Sequence, residues 1–329
     1  MTDVLTILGS GVVLPPTQPT RDVAAALGAD VGGFRGWDRI GLAGDSEHPA
    51  AMGAAALGAA LDTAGVDAAD LSLVIAASMS RDYLPSWSVS TEVMRLAGCS
   101  DRALGLDVTV GCLGAMAALN LALGWLASLG GGRAAVVATE RWAYTVDRSS
   151  AASMSLWGHS DGGGALVVEL GPAGNGPRYL GSEYLTHADM NGRVLIKYGG
   201  TRFPSAPPDA RAGSRAVDDK PATEVRRRYI EGYQRVFGEL HRRFGVTPGW
   251  LVCNQITPGL VKKLPELAGV PRERTVVTGH EHGHLGSGDI VVGLHRLLSR
   301  GELDAPALLA ASTPYAFGAG LIVPGRPSS

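Results

Sequence analysis

Cysteine is scarce in this chain of 329 residues, which holds Cys99, Cys112 and Cys253 and no other. Three widely spaced cysteines exclude a disulfide framework and a CxxC metal site. The first residues, MTDVLTILGSGVVLPP, lack a basic stretch and reach Gly and Pro early, so they predict a first strand and not a signal peptide. Both observations favour a protein of the reducing cytoplasm.

An excess of charge is lacking as well. The chain has 29 Lys and Arg against 31 Asp and Glu, a formal net charge of −2. This balance excludes the basic surface typical of proteins that bind nucleic acid or anionic membranes. Hydrophobic residues make up 45% of the chain, which is enough for a large core. We therefore expect a small-molecule or acyl-carrier substrate and no nucleic-acid or membrane partner.

One stretch lacks charged residues altogether. Residues 108–132, VTVGCLGAMAALNLALGWLASLGGG, exceed the usual length of a membrane span. Their many glycines and the shortness of the helix favour another interpretation, a helix buried between the sheets of a large soluble protein.

The sequence around this stretch occurs twice. GCLGAMAALNLALGWLASLGGGRAAVVATE, from Gly111, aligns without gaps with GHLGSGDIVVGLHRLLSRGELDAPALLAAS, from Gly283. Each copy has a Gly-x-Leu-Gly turn, an apolar helix, a Gly-containing connector and a short β run. LSLVIAASMS, from Leu71, similarly resembles PGWLVCNQIT, from Pro248. The pattern predicts a duplicated chain with halves at about residues 1–170 and 171–329.

The order of the predicted elements indicates an α/β fold. Alternating strands and helices predict mixed, mostly parallel sheets with helices on their faces. A five-layer αβαβα sandwich covers the apolar central helices on both sides, whereas an open three-layer sheet leaves them partly wet. Residues 187–223 are rich in Gly, Pro and charge without a sustained period, so they are either a lid over an acceptor site or an exposed connector.

Cys112 is the first candidate for chemistry. It lies in LDVTVGCLGAM, where a short apolar strand meets a helix. Free N–H groups and the positive end of the helix dipole favour a thiolate at such a junction. The alternative is that this cysteine is a small buried hydrophobe.

Several motifs, in their order, resemble the ketosynthase III branch of the thiolase-like superfamily over essentially the whole chain. They are ILGSGVVLPP at the start, RDYLPSWS, LDVTVGCLGAMAALNLA around the cysteine, GRAAVVATE, HSDGGGALVVE and the closing AFGAGLIV. The resemblance implies a duplicated five-layer thiolase-like fold, Cys112 as the nucleophile, and an acyl-CoA or acyl-carrier-protein thioester as donor.

Two departures from the family's motifs change the expected chemistry. Asn254, in VCNQITPGL, stands where the family has histidine, and His284, in GHLGSG, stands where it has asparagine. The resemblance implies that both lie beside Cys112 and complete a Cys/His/Asn set. Moving the imidazole should impair decarboxylation of a malonyl thioester but leave a base for acyl transfer. His284 is also the internal counterpart of Cys112 in the repeat; its alternatives are a surface histidine or, with His280 and His282, a metal ligand.

The resemblance assigns further residues. The backbone N–H groups of Cys112 and Ala319 would form the oxyanion hole. Leu84 matches a position that reaches across a dimer interface, so a homodimer is expected. Trp37 and Arg39 resemble the segment that binds the thioester donor.

Three further polar residues stand in or beside these motifs. His159 falls where the family often has an aromatic residue lining the pocket, so it either contacts the acceptor or is a structural residue of the Gly-rich turn. Asp161 and the glycines after it are interpreted as structural. Asp289 either orients an imidazole or is a helix-start carboxylate, and the sequence favours the second role.

These observations predict an acyltransferase of specialised metabolism that moves an acyl group through Cys112 to an alcohol or amine, without a dissociable cofactor. One alternative is a decarboxylating β-ketoacyl synthase that forms a carbon–carbon bond. The other is a non-catalytic partner subunit.

Overall fold

A computed structural model describes residues 4–84, 86–172, 174–208, 214–216 and 222–325. Its strands are β1 Val4–Val13, β2 Thr17–Pro19, β3 Arg39–Gly41, β4 Leu71–Ala76, β5 Leu104–Asp107, β6 Gly132–Glu140, β7 Gly162–Gly171, β8 Arg178–Thr186, β9 Val194–Ile196, β10 Ser214–Ala216, β11 Trp250–Cys253, β12 Thr275–Val276, β13 Ala307–Ser312 and β14 Ala316–Val323. Its α-helices are α1 Thr20–Leu27, α2 Pro49–Ala64, α3 Val89–Ala97, α4 Gly114–Ser128, α5 Ala222–Phe244, α6 Pro258–Ala268, α7 Gly279–His282 and α8 Gly288–Ser299.

Ten strands hydrogen-bond in the order β12-β11-β13-β14-β8-β1-β7-β6-β4-β5. This order contains the same arrangement twice, because the five strands of each half lie in the order third, second, fourth, fifth, first. In each half the second, third and fourth strands are parallel, and the fifth runs antiparallel to both of its neighbours. The two half-sheets join where β1 and β8 pair antiparallel, as in Leu5 opposite Tyr179. The predicted duplication is confirmed.

The helices form three layers around the two half-sheets. The main core contains residues of α4 and α8, such as Leu119 and Leu294, together with inward-facing residues of both half-sheets. A second core packs α2 and α3 on the outer face of the first half-sheet. A third packs α5 and α6 on the outer face of the second. The result is the five-layer αβαβα sandwich that the sequence predicted.

The charge-free helix α4 is only partly enclosed. By length and composition, Gly111–Ser128 is apolar enough to cross a membrane, but 56% of this window is buried inside the protein. Its inner face packs between the half-sheets, as predicted. Its outer face leaves Leu121, Trp125 and Leu129 exposed, so the expectation that this helix is covered on both sides was wrong for that face.

The predicted irregular segment at residues 187–223 contains local structure. Strands β9 and β10 pair antiparallel, with Ile196 opposite Ser214. Strand β10 lies against the short 3-10 helix Ala151–Leu156. Residues 209–213 and 217–221 lie outside the described residues, so a lid over the acceptor site stays a prediction.

Candidate active site

The candidate nucleophile lies where the two halves meet. Cys112 is on a short 3-10 turn, Gly111–Leu113, directly before α4, and is 9% exposed. Gly111 has φ +59°, and a Cβ atom there would lie 2.5 Å from Cγ2 of Thr313 in the second half. Gly114 opens α4 so close to the start of α8 that a Cβ there would lie 3.2 Å from Cβ of Ser287. The mouths of the two central helices therefore face each other.

Cys112, His284 and Asp289 form a hydrogen-bonded chain. Nε2 of His284 lies 3.3 Å from Sγ of Cys112, and the two residues are 172 positions apart, the constant offset of the sequence repeat. Nδ1 of the same ring lies 2.5 Å from Oδ2 of Asp289. Both His284 and Asp289 are buried, at 2% and 1% exposure. This is the arrangement of a nucleophile, a base and a residue that orients the base.

The position of Asp289 corrects the role that the sequence favoured. Although it lies in the first turn of α8, its carboxylate accepts hydrogen bonds from His284, from the backbone N–H of Gln255 at 2.6 Å and from that of Leu285 at 2.9 Å. The favoured role as a mere helix-start carboxylate was wrong, because both oxygens are engaged with the imidazole and the backbone beside it.

The electrostatics of the site favour a protonated imidazole. Burial alone would lower the pKa of His284, but the charges of Asp289 and of a Cys112 thiolate outweigh it and raise the pKa to about 10. A protonated His284 places positive charge 3.3 Å from Sγ of Cys112, where it would stabilise negative charge on the sulfur.

Asn254 is buried on a neighbouring network. Its Nδ2 donates to the carbonyl of Ser312 at 3.0 Å, and its Oδ1 accepts from the Tyr233 hydroxyl at 3.3 Å. Neither amide atom hydrogen-bonds Cys112 or His284 among the described residues. The hydrogen bonds therefore join Cys112 and His284 to an aspartate and not to the predicted asparagine.

His159 lies directly against the imidazole of the chain. Its ring centroid is 4.5 Å from that of His284, and the two residues form an isolated β-bridge. Its ring also packs on that of Trp142, with centroids 4.6 Å apart. Asp161, two residues further along the chain, accepts hydrogen bonds from the backbone N–H groups of Ala43 and Ala143. These contacts agree with the structural role predicted for it.

Comparisons with known proteins agree with this architecture. Residues 106–188 match the family model described as 3-oxoacyl-[acyl-carrier-protein (ACP)] synthase III, and residues 248–325 match the model of its C-terminal part. The chain is a ketosynthase III-like protein of the thiolase-like type.

Individual relatives and structures are similar over most of their length. The β-ketoacyl-[acyl-carrier-protein] synthase III of Rhodobacter capsulatus is 28% identical over 296 residues, 87% of this chain and 85% of the relative. That of Streptomyces lividans is 29% identical over 304 residues, 84% of this chain and 81% of the relative. The FabH structure of Pseudomonas aeruginosa PAO1 matches with a TM-score of 0.84 and 18% identity over 99% of both chains. OleA of Xanthomonas campestris with bound lauric acid and lauroyl-CoA matches with a TM-score of 0.83 and 17% identity, over 98% of this chain and 100% of that one.

In this ketosynthase III-like chain, hydrogen bonds within the protein engage both residues expected to bind the donor, Trp37 and Arg39. Trp37 is 2% exposed, and its Nε1 donates to the carbonyl of Gln255 at 3.0 Å. Its ring offers no free face to a donor in this structure, so it acts here as a packing residue. Arg39 is half-buried and donates twice to Thr17, from Nε to the hydroxyl and from a terminal nitrogen to the carbonyl, each at 2.7 Å.

The other two predicted residues lie at opposite extremes of exposure. Ala319 is fully buried in β14, opposite Ala310 on one side and Glu183 on the other. The preceding residue, Gly318, approaches the nucleophile's turn, since a Cβ there would lie 2.7 Å from Cδ2 of Leu113. Leu84 is 62% exposed. An oxyanion role for Ala319 and an interface role for Leu84 both stay predictions.

Sequence reasoning missed two residues beside the site. Burial, and then the negative charge of Cys112, raise the pKa of Tyr229 on α5 to about 12. Glu140, at the end of β6, accepts the backbone N–H groups of Met79 and Ser80, each at 2.9 Å, and the hydroxyl of Ser287 at 3.2 Å. The sequence signal for Tyr229 was the amphipathic pattern of α5. For Glu140 the sequence indicated only the end of a strand.

The described part of the chain contains no cluster of side chains suited to the alternative of a metal site at His280, His282 and His284. No group of three or more His, Cys, Asp or Glu side chains there has the geometry to hold an ion. His280 instead lies 2.7 Å from Asp38 and packs on Trp37.

Proposed function

We propose that this protein is an acyltransferase that carries an acyl group on Cys112 from a CoA or acyl-carrier-protein thioester to an alcohol or amine. The observation that carries the proposal is the chain Cys112 Sγ, His284 Nε2 and Asp289 Oδ2, with separations of 3.3 and 2.5 Å. It places a base on the nucleophile, whereas Asn254 is held by Ser312 and Tyr233.

The first half-reaction loads the cysteine. The Cys112 thiolate attacks the thioester carbonyl, a new C–S bond forms, and the bond to the donor sulfur breaks. The departing thiolate takes the proton from Nε2 of His284 and leaves as a free thiol. This step consumes the positive charge that the resting site holds next to the sulfur.

The second half-reaction releases the acyl group. Because acylation removes the thiolate charge, one of the causes of the raised pKa of His284 disappears, and the neutral imidazole becomes a usable base. An incoming hydroxyl attacks the acyl carbonyl while Nε2 takes its proton. The bond to Cys112 then breaks, and the thiolate and imidazolium pair is restored.

The surroundings support the remaining parts of the proposal. We assign the oxyanion hole to the backbone N–H groups of Cys112 and Ala319, because β14 packs against the nucleophile's turn. The exposed apolar side chains of Leu84, Leu121 and Trp125 are consistent with burial by a second copy in a homodimer. Neither half-reaction calls for a dissociable cofactor. The small net charge is compatible with a cytoplasmic enzyme, and the exchange of histidine and asparagine relative to the family's motifs supports a role in specialised metabolism.

A condensing β-ketoacyl synthase is the second candidate, favoured by the relatives, which carry that name. Such an enzyme releases carbon dioxide from a malonyl thioester and forms a β-keto product. Stoichiometric release of carbon dioxide with that product would contradict the acyltransferase proposal.

Intact-mass spectrometry after incubation with a panel of acyl thioesters tests the proposal directly. We expect the wild-type protein to gain the mass of one acyl group and the Cys112→Ala variant to gain none. Transfer to added alcohols or amines should then restore the unmodified mass. A non-catalytic partner subunit would gain no acyl mass, so neither the wild type nor the variant would change in mass on incubation.

A further inference from the structure

The proposed mechanism leaves a second imidazole beside the catalytic one without a role. His159 lies with its ring centroid 4.5 Å from that of His284 and an interplanar angle of 60°. Backbone hydrogen bonds lock the two residues together, from Ser160 N to the carbonyl of His284 at 2.8 Å and from His284 N to the carbonyl of Gly158 at 2.9 Å. His159 therefore has a fixed place next to the base.

The orientation of the His159 ring is fixed as well. Its Nδ1 lies 2.8 Å from the carbonyl of Leu156, an atom that only accepts, so Nδ1 carries a hydrogen. The His159 carbonyl accepts a hydrogen bond from the buried guanidinium of Arg148. Trp142 also packs on the ring, with centroids 4.6 Å apart. These contacts leave Nε2 as the available nitrogen.

The Nε2 atom of His159 has no hydrogen-bond partner among the described residues. Burial and the nearby positive charge of His284 both lower the pKa of His159 well below its ordinary value. The ring is therefore neutral at physiological pH, and Nε2 presents a lone pair that needs a donor. Because no described residue donates to it, this lone pair is open to a donor on a bound molecule or to water.

We propose that Nε2 of His159 accepts a hydrogen bond from a second donor group on the acyl acceptor, adjacent to the attacking hydroxyl, as in a 1,2-diol. This inference rests on the proposed function. The attacking hydroxyl gives its proton to Nε2 of His284, so its own hydrogen is not free for His159. An acceptor with a neighbouring hydroxyl satisfies both imidazoles at once.

Matched acceptors test the proposal. The protein is first loaded with the thioester of the panel that acylates Cys112 fastest, and transfer to 1,2-hexanediol is compared with transfer to 1-hexanol. We expect kcat/KM for the diol to be higher by at least about tenfold, the contribution of one hydrogen bond of about 1.4 kcal/mol. In His159→Phe, which keeps an aromatic ring in contact with Trp142 and His284, the two alcohols should react at similar rates.

Two further measurements separate recognition from structure. The rate at which Cys112 is acylated is measured in the same variant, so that transfer to the two alcohols is compared on equally loaded protein. His159→Gln, which restores an acceptor oxygen, should regain part of the diol preference even if the Phe variant folds poorly. A wild-type enzyme without diol preference, or a His159→Phe variant that keeps it or slows both alcohols equally, would overturn the inference. Failure of wild type to transfer to any alcohol or amine would instead refute the proposed function.

Discussion

Asp289 accepts a 2.6 Å hydrogen bond from the backbone N–H of Gln255 on the same oxygen that faces His284. Gln255 follows Asn254 directly, so one carboxylate ties together the two motifs in which histidine and asparagine have exchanged places. In this chain the exchanged imidazole thus has a carboxylate partner. An aspartate fixes the ring with Nδ1 protonated, which directs the lone pair or proton of Nε2 at the sulfur.

Replacing Asp289 by Asn should disable the base while keeping its shape. The amide would face three donors, namely Nδ1 of His284 and the N–H groups of Gln255 and Leu285, so the imidazole would lose its orientation. In a comparable triad such a change costs about 10⁴ in kcat, and we expect a loss of about 10²–10⁴ in transfer. The pKa of His284, followed by NMR, should fall in the same variant. An unchanged pKa would show that Asp289 has only a structural role.

The proposed pair of a Cys112 thiolate and a His284 imidazolium predicts the direction of a pKa change at His284. In Cys112→Ala the thiolate charge and its hydrogen bond are gone, whereas Asp289 remains, so the pKa should fall below about 10. A base acts only above its pKa, so release of the acyl group should speed up with rising pH and level off near the value measured in Cys112→Ala. NMR titration of the variant and single-turnover release from the acyl-enzyme check both statements. A pKa that is the same in variant and wild type would contradict the ion pair.

The fold was predictable because its signals are periodic and repeated. The gapless repeat beginning at Gly111 and Gly283 corresponds to α4 with β6 and to α8 with β13, which occupy equivalent places in the two halves. The exposed outer face of α4 was not predictable, because an apolar sequence does not indicate whether the covering partner belongs to the same chain.

The site was predictable only where the repeat brings residues together. Cys112 and His284 occupy equivalent turns in the two halves, so their proximity followed from the duplication. The bond from His284 to Asp289 depends on how the backbone turns at Gly286, with φ +61°, and no local pattern specifies that. Burial of Trp37 likewise depends on contacts with Gln255 and Gly279, more than two hundred residues away.

Removing the imidazole should separate the two half-reactions. His284→Ala should still be acylated, since the turn before α4 favours a thiolate, but more slowly, because the departing thiolate must take its proton from water. It should then accumulate as acyl-enzyme because no base remains for the acceptor. Restoring the family's arrangement with His284→Asn and Asn254→His should abolish acyl transfer and favour malonyl decarboxylation. Mass spectrometry detects the trapped species, and carbon dioxide release tests the double variant. Undiminished turnover by His284→Ala would transfer the role of base to His159.

The last prediction concerns Gly111, which sets the position of the nucleophile. An alanine there meets two costs: a left-handed backbone at φ +59° and a Cβ only 2.5 Å from Cγ2 of Thr313. Gly28 has nearly the same φ, +61°, but a Cβ added there would have nothing within 4 Å, so Gly28→Ala measures the backbone cost alone. We expect Gly28→Ala to lower the free energy of unfolding by about 1–2 kcal/mol.

Gly111→Ala should cost about 1–3 kcal/mol more than that, because the clash forces the two halves apart. It should also slow acylation of Cys112, whereas Gly28→Ala should not. Thr313→Ser removes Cγ2 but keeps the hydroxyl that accepts the backbone N–H of Ala316 at 2.9 Å. Combined with Gly111→Ala, the Thr313→Ser substitution should restore the stability lost to the clash but not the stability lost to the left-handed backbone. Urea denaturation measures the free energy of unfolding of Gly28→Ala, Gly111→Ala, Thr313→Ser and the double variant. Equal losses at positions 28 and 111 would show that contact with Thr313 does not hold the nucleophile in place.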